Sequence, residues 1–167
     1  MEKNPVIELR NVAVFHSAKP GSSNPKKRGE MVVSGVNLTV CEGEMVYFIG
    51  KVGSGKSSLI KTLYAEVPLV EGEGRIVGFD LRRMKRRDIS RLRRSIGIVF
   101  QDYQLLSDRD VFGNLHYVMK ATGWKNETDM RKRIEEVLSV VGLENKAFKM
   151  PFELSGGQQQ RLAVARA

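Results

Sequence analysis

Gly50-Lys51-Val52-Gly53-Ser54-Gly55-Lys56-Ser57 decides how the rest of the chain is read. The run satisfies G-x-x-x-x-G-K-[ST], the pattern of a phosphate-binding loop. Met45-Val46-Tyr47-Phe48-Ile49 before it is a short apolar run of strand type, and Ser58 to Ala65 after it carries apolar residues at helical spacing. Its three glycines permit a turn tight enough for successive N–H groups to face one concavity, and a helix opening at Ser57 adds its positive end. In such a loop Lys56 places a point charge between the terminal phosphates of a triphosphate. The Ser57 hydroxyl is one ligand of a magnesium ion that keeps waters and phosphate oxygens as its others. A glycine turn matching by chance does not account for strand and helix lying on the correct sides.

The chain of 167 residues, 41% of them hydrophobic, is long enough for one domain with a real core. One cysteine, Cys41, excludes an internal disulfide framework and fits a reducing cytosolic compartment. No secretory segment opens the sequence, and no apolar run approaches the roughly 18 residues of a membrane span. Any membrane connection is therefore expected through a partner or a surface contact. The net charge of +9 is concentrated in Arg82, Arg83, Lys85, Arg86, Arg87, Arg91, Arg93 and Arg94, with a smaller cluster at Lys26-Lys27-Arg28. Such a patch suits nucleic acid, an anionic leaflet or an acidic partner, and equally a solvated face without ligand. It lacks the interleaved aromatic residues that stack on bases, so no nucleic-acid partner is expected.

Residues 6–15 read as a strand and 16–29 as an extended loop. Val36, Leu38 and Val40 make a second strand, giving an antiparallel hairpin that leads through Glu42-Gly43-Glu44 into the strand before the phosphate loop. Pro68 and Glu71-Gly72-Glu73-Gly74 break the pattern, Arg75-Ile76-Val77 form a short strand, and Asp88 caps a basic helix to Arg94. Ile96-Gly97-Ile98-Val99-Phe100 reads as a buried parallel strand ending at the polar Gln101, where ligands meet such sheets. Asp110 caps a helix stopped near Gly123, and Thr128 opens another that ends at Gly142. Ser155 is placed as the N-cap of a last helix containing Leu162, Val164 and Ala165. No internal repeat is present. His116 falls within a helix and reads as structural.

With the phosphate loop ahead of Gln101 and Leu154-Ser155-Gly156-Gly157-Gln158 behind it, essentially the whole chain resembles the nucleotide-binding subunits of ATP-binding-cassette (ABC) transporters. Val99-Phe100-Gln101-Asp102 with Leu105-Leu106-Ser107-Asp108-Arg109-Asp110-Val111 is more similar to the cell-division branch of that class than to its macrolide- and lipoprotein-exporter branches, MacB and LolD. The resemblance implies a P-loop α/β fold of the ABC ATPase type. It divides into an antiparallel flank and loop core (1–101), a helical subdomain (102–154) and the start of a signature helix (155–167). It implies that Gly50 to Ser57, with Ser58, hold one ATP, that Ser155, Gly156, Gly157 and Gln158 of a second copy close on its γ-phosphate, and that Ser57 and Gln101 serve the magnesium. Gln101 would also contact the attacking water, and Asp102 to Asp110 would transmit the change to a membrane-spanning subunit. Phe15, with His16 beside it, is the candidate that stacks on adenine, although a strand-end phenylalanine also suits ordinary packing.

The class continues past its signature helix with an apolar strand ending in an aspartate, a glutamate that polarises water, and a later histidine. None of these lies in this sequence, and Asp80, which precedes Gln101 and has no glutamate after it, does not replace them. The expectations are a truncated cassette, slow or absent hydrolysis without general-base help worth typically 10² to 10⁴ in rate, and an uncovered sheet edge. The complete protein is expected to be an ATPase, cytoplasmic and peripheral on the inner face of the membrane. A second reading is a catalytically silent ATP-binding module.

Overall fold

β1 (Pro5–His16) buries Leu9, Val12 and Val14 and supplies the centre of an antiparallel sheet. β2 (Glu30–Cys41) pairs on one side of it and β3 (Glu71–Ile76) on the other, with β4 (Phe79–Asp80) at the far edge. The computed structural model describes residues 4–16 and 29–167, so the Lys26-Lys27-Arg28 cluster and the loop around it lie outside the described residues. The apolar face of the sheet meets Leu59 and Leu63 of α1 (Lys56–Leu63), together with Leu69, Leu81 and Leu92. Each such side chain withdrawn from water contributes about 1.5–3 kcal/mol.

Glu71 to Gly74, expected to interrupt the chain, instead belong to β3. The glycines are there because β1 passes close: a Cβ on Gly72, at φ +85°, would sit 2.4 Å from the Asn11 carbonyl oxygen, and one on Gly74 would sit 2.7 Å from Leu69. A glycine inside a strand commonly marks such an approach. Two further expectations are corrected. Met45–Ile49 and Ile96–Phe100 are not strands, and all pairing among the described residues is antiparallel. A parallel strand exists only by lateral hydrogen bonding to a neighbour, and neither run enters the strand pairing of the described residues. Met45, Tyr47 and Ile49 accordingly stand open, at 79%, 76% and 92% exposure.

α2 (Arg86–Arg94) begins after Lys85, not at Asp88. Asp88 lies in the first turn, where its carboxylate accepts the Lys85 N–H at 3.0 Å and faces the positive helix end. The division between the two compact units of the chain falls after Ile96, which assigns Gln101 to the second. That unit packs α3 (Val111–Thr122), α4 (Glu127–Val140) and α5 (Gly156–Arg166) around Val111, Leu115, Ile134, Leu138, Leu143, Leu154 and Leu162. Asp110 caps α3, accepting the Gly113 N–H at 2.6 Å, and Gly123 closes it at φ +105°. The cap of α4 is Asn126, whose side-chain oxygen accepts the N–H groups of Thr128 and Asp129, so Thr128 lies inside the helix it was expected to open.

Fully buried Asn114 shapes the turn before α3. Its amide donates to the carbonyls of Leu106, Arg109 and Asp110, and its oxygen accepts the Leu106 N–H at 2.8 Å. His116 tethers α3 to α4 through Glu127 at 2.7 Å, with Lys120 on the other carboxylate oxygen at 2.6 Å. Lys120 first, then His116, hold the Glu127 carboxyl below the usual carboxylate range.

Replacing Gly72 by alanine forces β1 and β3 apart, and the expected cost is about 2–4 kcal/mol, read as a lowered denaturation midpoint in urea. A second prediction concerns pH. Because the folded value of Glu127 is depressed, its contribution is present above the unfolded carboxylate value near 4.3 and is lost as pH falls through the folded one. Glu127→Gln should unfold at a lower temperature than the parent at pH 7. The two melting curves should coincide once the pH lies below the folded value.

Candidate functional site

The phosphate loop lies in the first unit, and its conformation follows from two glycines in the left-handed region, Gly53 at φ +82° and Gly55 at φ +86°. A side chain at Gly55 would meet Val32 at 3.0 Å and Val33 at 3.2 Å, so β2 fixes the loop from behind. Gly50 is restrained differently: a Cβ there would meet the Ser54 hydroxyl at 3.0 Å. α1 then starts with no side-chain cap. The first intrahelical bond in this turn runs from Leu59 N–H to the Gly55 carbonyl at 2.9 Å, which leaves the N–H groups of Lys56, Ser57 and Ser58 without an acceptor among the described residues. Three such donors at the positive end of a helix form an anion site.

Lys56 curls over the loop and donates to the carbonyls of Gly50 at 2.7 Å and Lys51 at 2.8 Å, with the Ser54 hydroxyl at 3.3 Å. Its ammonium therefore sits at the mouth of the concavity. Lys51, Val52 and Ser57 are exposed, while Ser58 is buried and its carbonyl accepts the Thr62 hydroxyl at 3.0 Å. Phe15 is only 8% exposed, so little of its face is open to a stacking partner, whereas His16 next to it is exposed.

The remaining predicted residues belong to the second unit. Ser155 caps α5: its hydroxyl accepts the Gln158 N–H at 3.3 Å, and the Gln158 side chain accepts the Ser155 N–H at 3.0 Å. This reciprocal capping box makes Gln158 part of the helix start. Gly156 and Gly157 have nothing within 4 Å of a Cβ position, and neither has a positive φ. Among the described residues no contact requires glycine at either place, which leaves this face of the helix start open. Gln101 is exposed in the turn closed by Tyr103 N–H on the Phe100 carbonyl.

Several supporting residues were not singled out from the sequence. Gln159 donates to the carbonyls of Pro151 at 3.0 Å and Leu154 at 3.2 Å, locking the approach to Ser155. Arg166, at the far end of α5, donates to the Tyr103 carbonyl at 2.6 Å and also to that of Gln104. Tyr103 and Gln104 both have positive φ, at +57° and +46°. Burial pushes the Arg166 guanidinium below its ordinary value, far from any range in which it would lose its charge. Only the polar Gln-Gln-Gln and Arg spacing within an otherwise apolar helix could have signalled these contacts.

The family model described as "ABC transporter" matches residues 33–167, which include both the loop and the signature helix. The chain belongs to the ABC transporter family. It is 45% identical over 162 residues to the cell division ATP-binding protein FtsE of Streptococcus pneumoniae, covering 97% of this chain and 66% of that protein. It is 41% identical over 143 residues to the methionine import ATP-binding protein MetN of Carboxydothermus hydrogenoformans, covering 86% of this chain and 42% of the relative. Among solved structures, the ATP-binding cassette MJ0796, a dimer in a post-hydrolysis state bound to ADP and Pi, superposes with a TM-score of 0.78 at 32% identity. That match covers 96% of this chain and 68% of the cassette. The chain thus spans just under two thirds of the length of FtsE. The ABC cassette class expected from the sequence stands. No described helix is long and apolar enough to cross a membrane.

Exchange of Arg166 for alanine removes both donors from the 103–104 carbonyls. Amide hydrogen exchange in the segment 101–105 should quicken at least about tenfold, the equivalent of losing roughly 1.4 kcal/mol of charged hydrogen bonding. The amides of α4 should be unchanged.

Proposed function

We propose that the chain is the ATP-binding part of an ABC-type membrane complex and binds MgATP on the loop Gly50–Ser57. The observation that carries this reading is the uncapped start of α1, with Lys56 over a concavity made by Gly53 and Gly55. The donor set fits a triphosphate. Lys56 exchanges the carbonyls of Gly50 and Lys51 for terminal phosphate oxygens, and the N–H groups of Lys56, Ser57 and Ser58 donate to the adjacent phosphates. The exposed Ser57 hydroxyl and Gln101 are the magnesium-side groups, and Gln101 orients water. Ser155, Gly156, Gly157 and Gln158 meet the nucleotide held by a second copy, which makes the functional unit a homodimer. Their unobstructed glycines support this role. His16 is the better-exposed neighbour of adenine, with Phe15 behind it. When bound, the magnesium neutralises charge on the phosphates; the chain's own residues position the nucleotide and exclude misalignment.

The complex in question is of the FtsE kind, in which ATP use is coupled to an FtsX-like membrane-spanning subunit in cell division. The 45% identity to FtsE over nearly the whole chain supports that choice, and the protein would then lie on the cytoplasmic face of the membrane through its partner. The 41% identity to MetN supports a second reading, an import ATPase. Co-purification with an FtsX-like subunit but not with a methionine permease separates the two. No carboxylate among the residues assigned here acts as general base, so tight binding with slow turnover is expected of these 167 residues.

Lys56→Ala should weaken equilibrium binding of a fluorescent ATP analogue in magnesium buffer by about ten- to a hundredfold, the loss of a charged hydrogen-bonding group. Unchanged binding would sink the assignment of this loop.

A further inference from the structure

The first unit carries a second concentration of charge that the nucleotide site does not use. α2 presents Arg86, Arg87, Arg91 and Arg94 on one exposed arc of about 140°, at 100° per residue, while Arg93 turns back to donate to the Tyr64 carbonyl at 3.1 Å, Leu92 is fully buried and Ile89 half-buried. Immediately before the helix, the turn after β4 adds exposed Arg82 and Arg83. These two, with Arg75, Gly74, Glu73 and Asp80, line a cleft of ≈ 410 Å³. Inside the cleft Arg83 leans on Asp80 at 3.6 Å, and Arg82 reaches the Gly72 carbonyl at 3.3 Å. Arg75, Arg86, Arg87 and Arg94 form no ion pair with another described residue.

Three features of this surface select its partner. Apart from Lys85 the cations are arginines, whose planar fork matches a carboxylate or phosphate in two simultaneous bonds, whereas lysine serves as a point charge. No exposed aromatic or large apolar residue lies between Leu81 and Ser95, so nothing stacks on a base or inserts beneath lipid headgroups. The surface is also concave. β4 covers only Arg75 and Ile76 of β3, so the cleft runs beside an edge where an extended segment fits and a bilayer plane does not enter.

We propose that this cleft, together with the arginine arc of α2, docks a carboxylate-rich segment of a partner protein. The contact lies apart from the phosphate loop in sequence and uses none of its residues. Individual exposed ion pairs are worth about 1 kcal/mol or less. Specificity therefore comes from several forks acting together beside the cleft.

The test is fluorescence anisotropy of a labelled oligoglutamate peptide with the 167-residue chain. Saturable, salt-sensitive binding is expected. The triple variant Arg82→Gln, Arg83→Gln, Arg87→Gln should lose about tenfold in affinity, the sum of three exposed pairs. A charge-matched triple in the other unit, Lys125→Gln, Lys132→Gln, Lys146→Gln, should lose less than about twofold. The charge-preserving triple Arg82→Lys, Arg83→Lys, Arg87→Lys keeps the fold and the charge and should still bind several-fold more weakly. Equal loss in the two glutamine triples would reduce the effect to net charge and overturn the proposal, as would full binding by the lysine triple. Tighter binding of duplex DNA or of phosphatidylglycerol vesicles than of oligoglutamate at one ionic strength would replace the protein partner by a nucleic acid or a membrane and overturn it as well.

Discussion

An α-helix begins with N–H groups that have no partner inside the helix, and the two helices that matter most here treat them in opposite ways. α5 satisfies its own: Ser155 and Gln158 exchange side-chain and backbone bonds across the first turn. α1 does not, because a glycine with no acceptor side chain precedes it. An open helix start costs stability unless water or an anion meets it, and the structure around α1 keeps it open. Val32 and Val33 of β2 press against Gly55, while Leu59 and Leu63 anchor the other side of the helix in the sheet core. The antiparallel sheet thus holds a donor-rich loop in place, and the leucines of α1 supply burial that offsets the cost of its open helix start.

Lys56 is held by the same loop. A cationic side chain beside backbone carbonyls takes the strongest acceptors within reach, and those are the carbonyls of Gly50 and Lys51. The same ammonium is half-buried, so it is pre-placed and already partly desolvated. On the proposed function, exchange of carbonyl for phosphate oxygen needs little reorganisation, which is how a preformed site holds down the cost of binding.

Local chemistry made much of this legible. The Asp110 and Ser155 caps, Gly123 and the helices α3, α4 and α5 are written in residues a few positions apart, and those readings stand. The failures share a cause. Whether Met45–Ile49 or Ile96–Phe100 becomes a strand depends on a lateral partner that no local pattern contains, and whether Glu71-Gly72-Glu73-Gly74 breaks or continues depends on how near β1 passes. Asn126 takes the cap in place of Thr128 because, one residue ahead of the first turn, its side-chain oxygen reaches two of the helix's open N–H groups. Arg166 and Gln159 were hidden for a related reason, since long polar side chains on a helix declare their acceptors only when the fold brings those acceptors near.

Arg166 gives α5 a second fixed end. Its first residue follows the Ser155 cap, and its last turn holds the carbonyls of Tyr103 and Gln104, two and three residues after Gln101. Both of those residues are in the left-handed region, which costs an L-residue with a Cβ roughly 1–2 kcal/mol, so the turn would relax if it were released. A helix of this length is about 16 Å long and, capped and packed through Leu162 and Ala163, behaves as one body. The Ser155 cap and the Arg166 contacts thus fix the two ends of one helix, the second of them on a strained turn near Gln101. The signature glycines and Gln101 are separated in sequence, yet α5 and its Arg166 contacts link the segments that carry them within this unit.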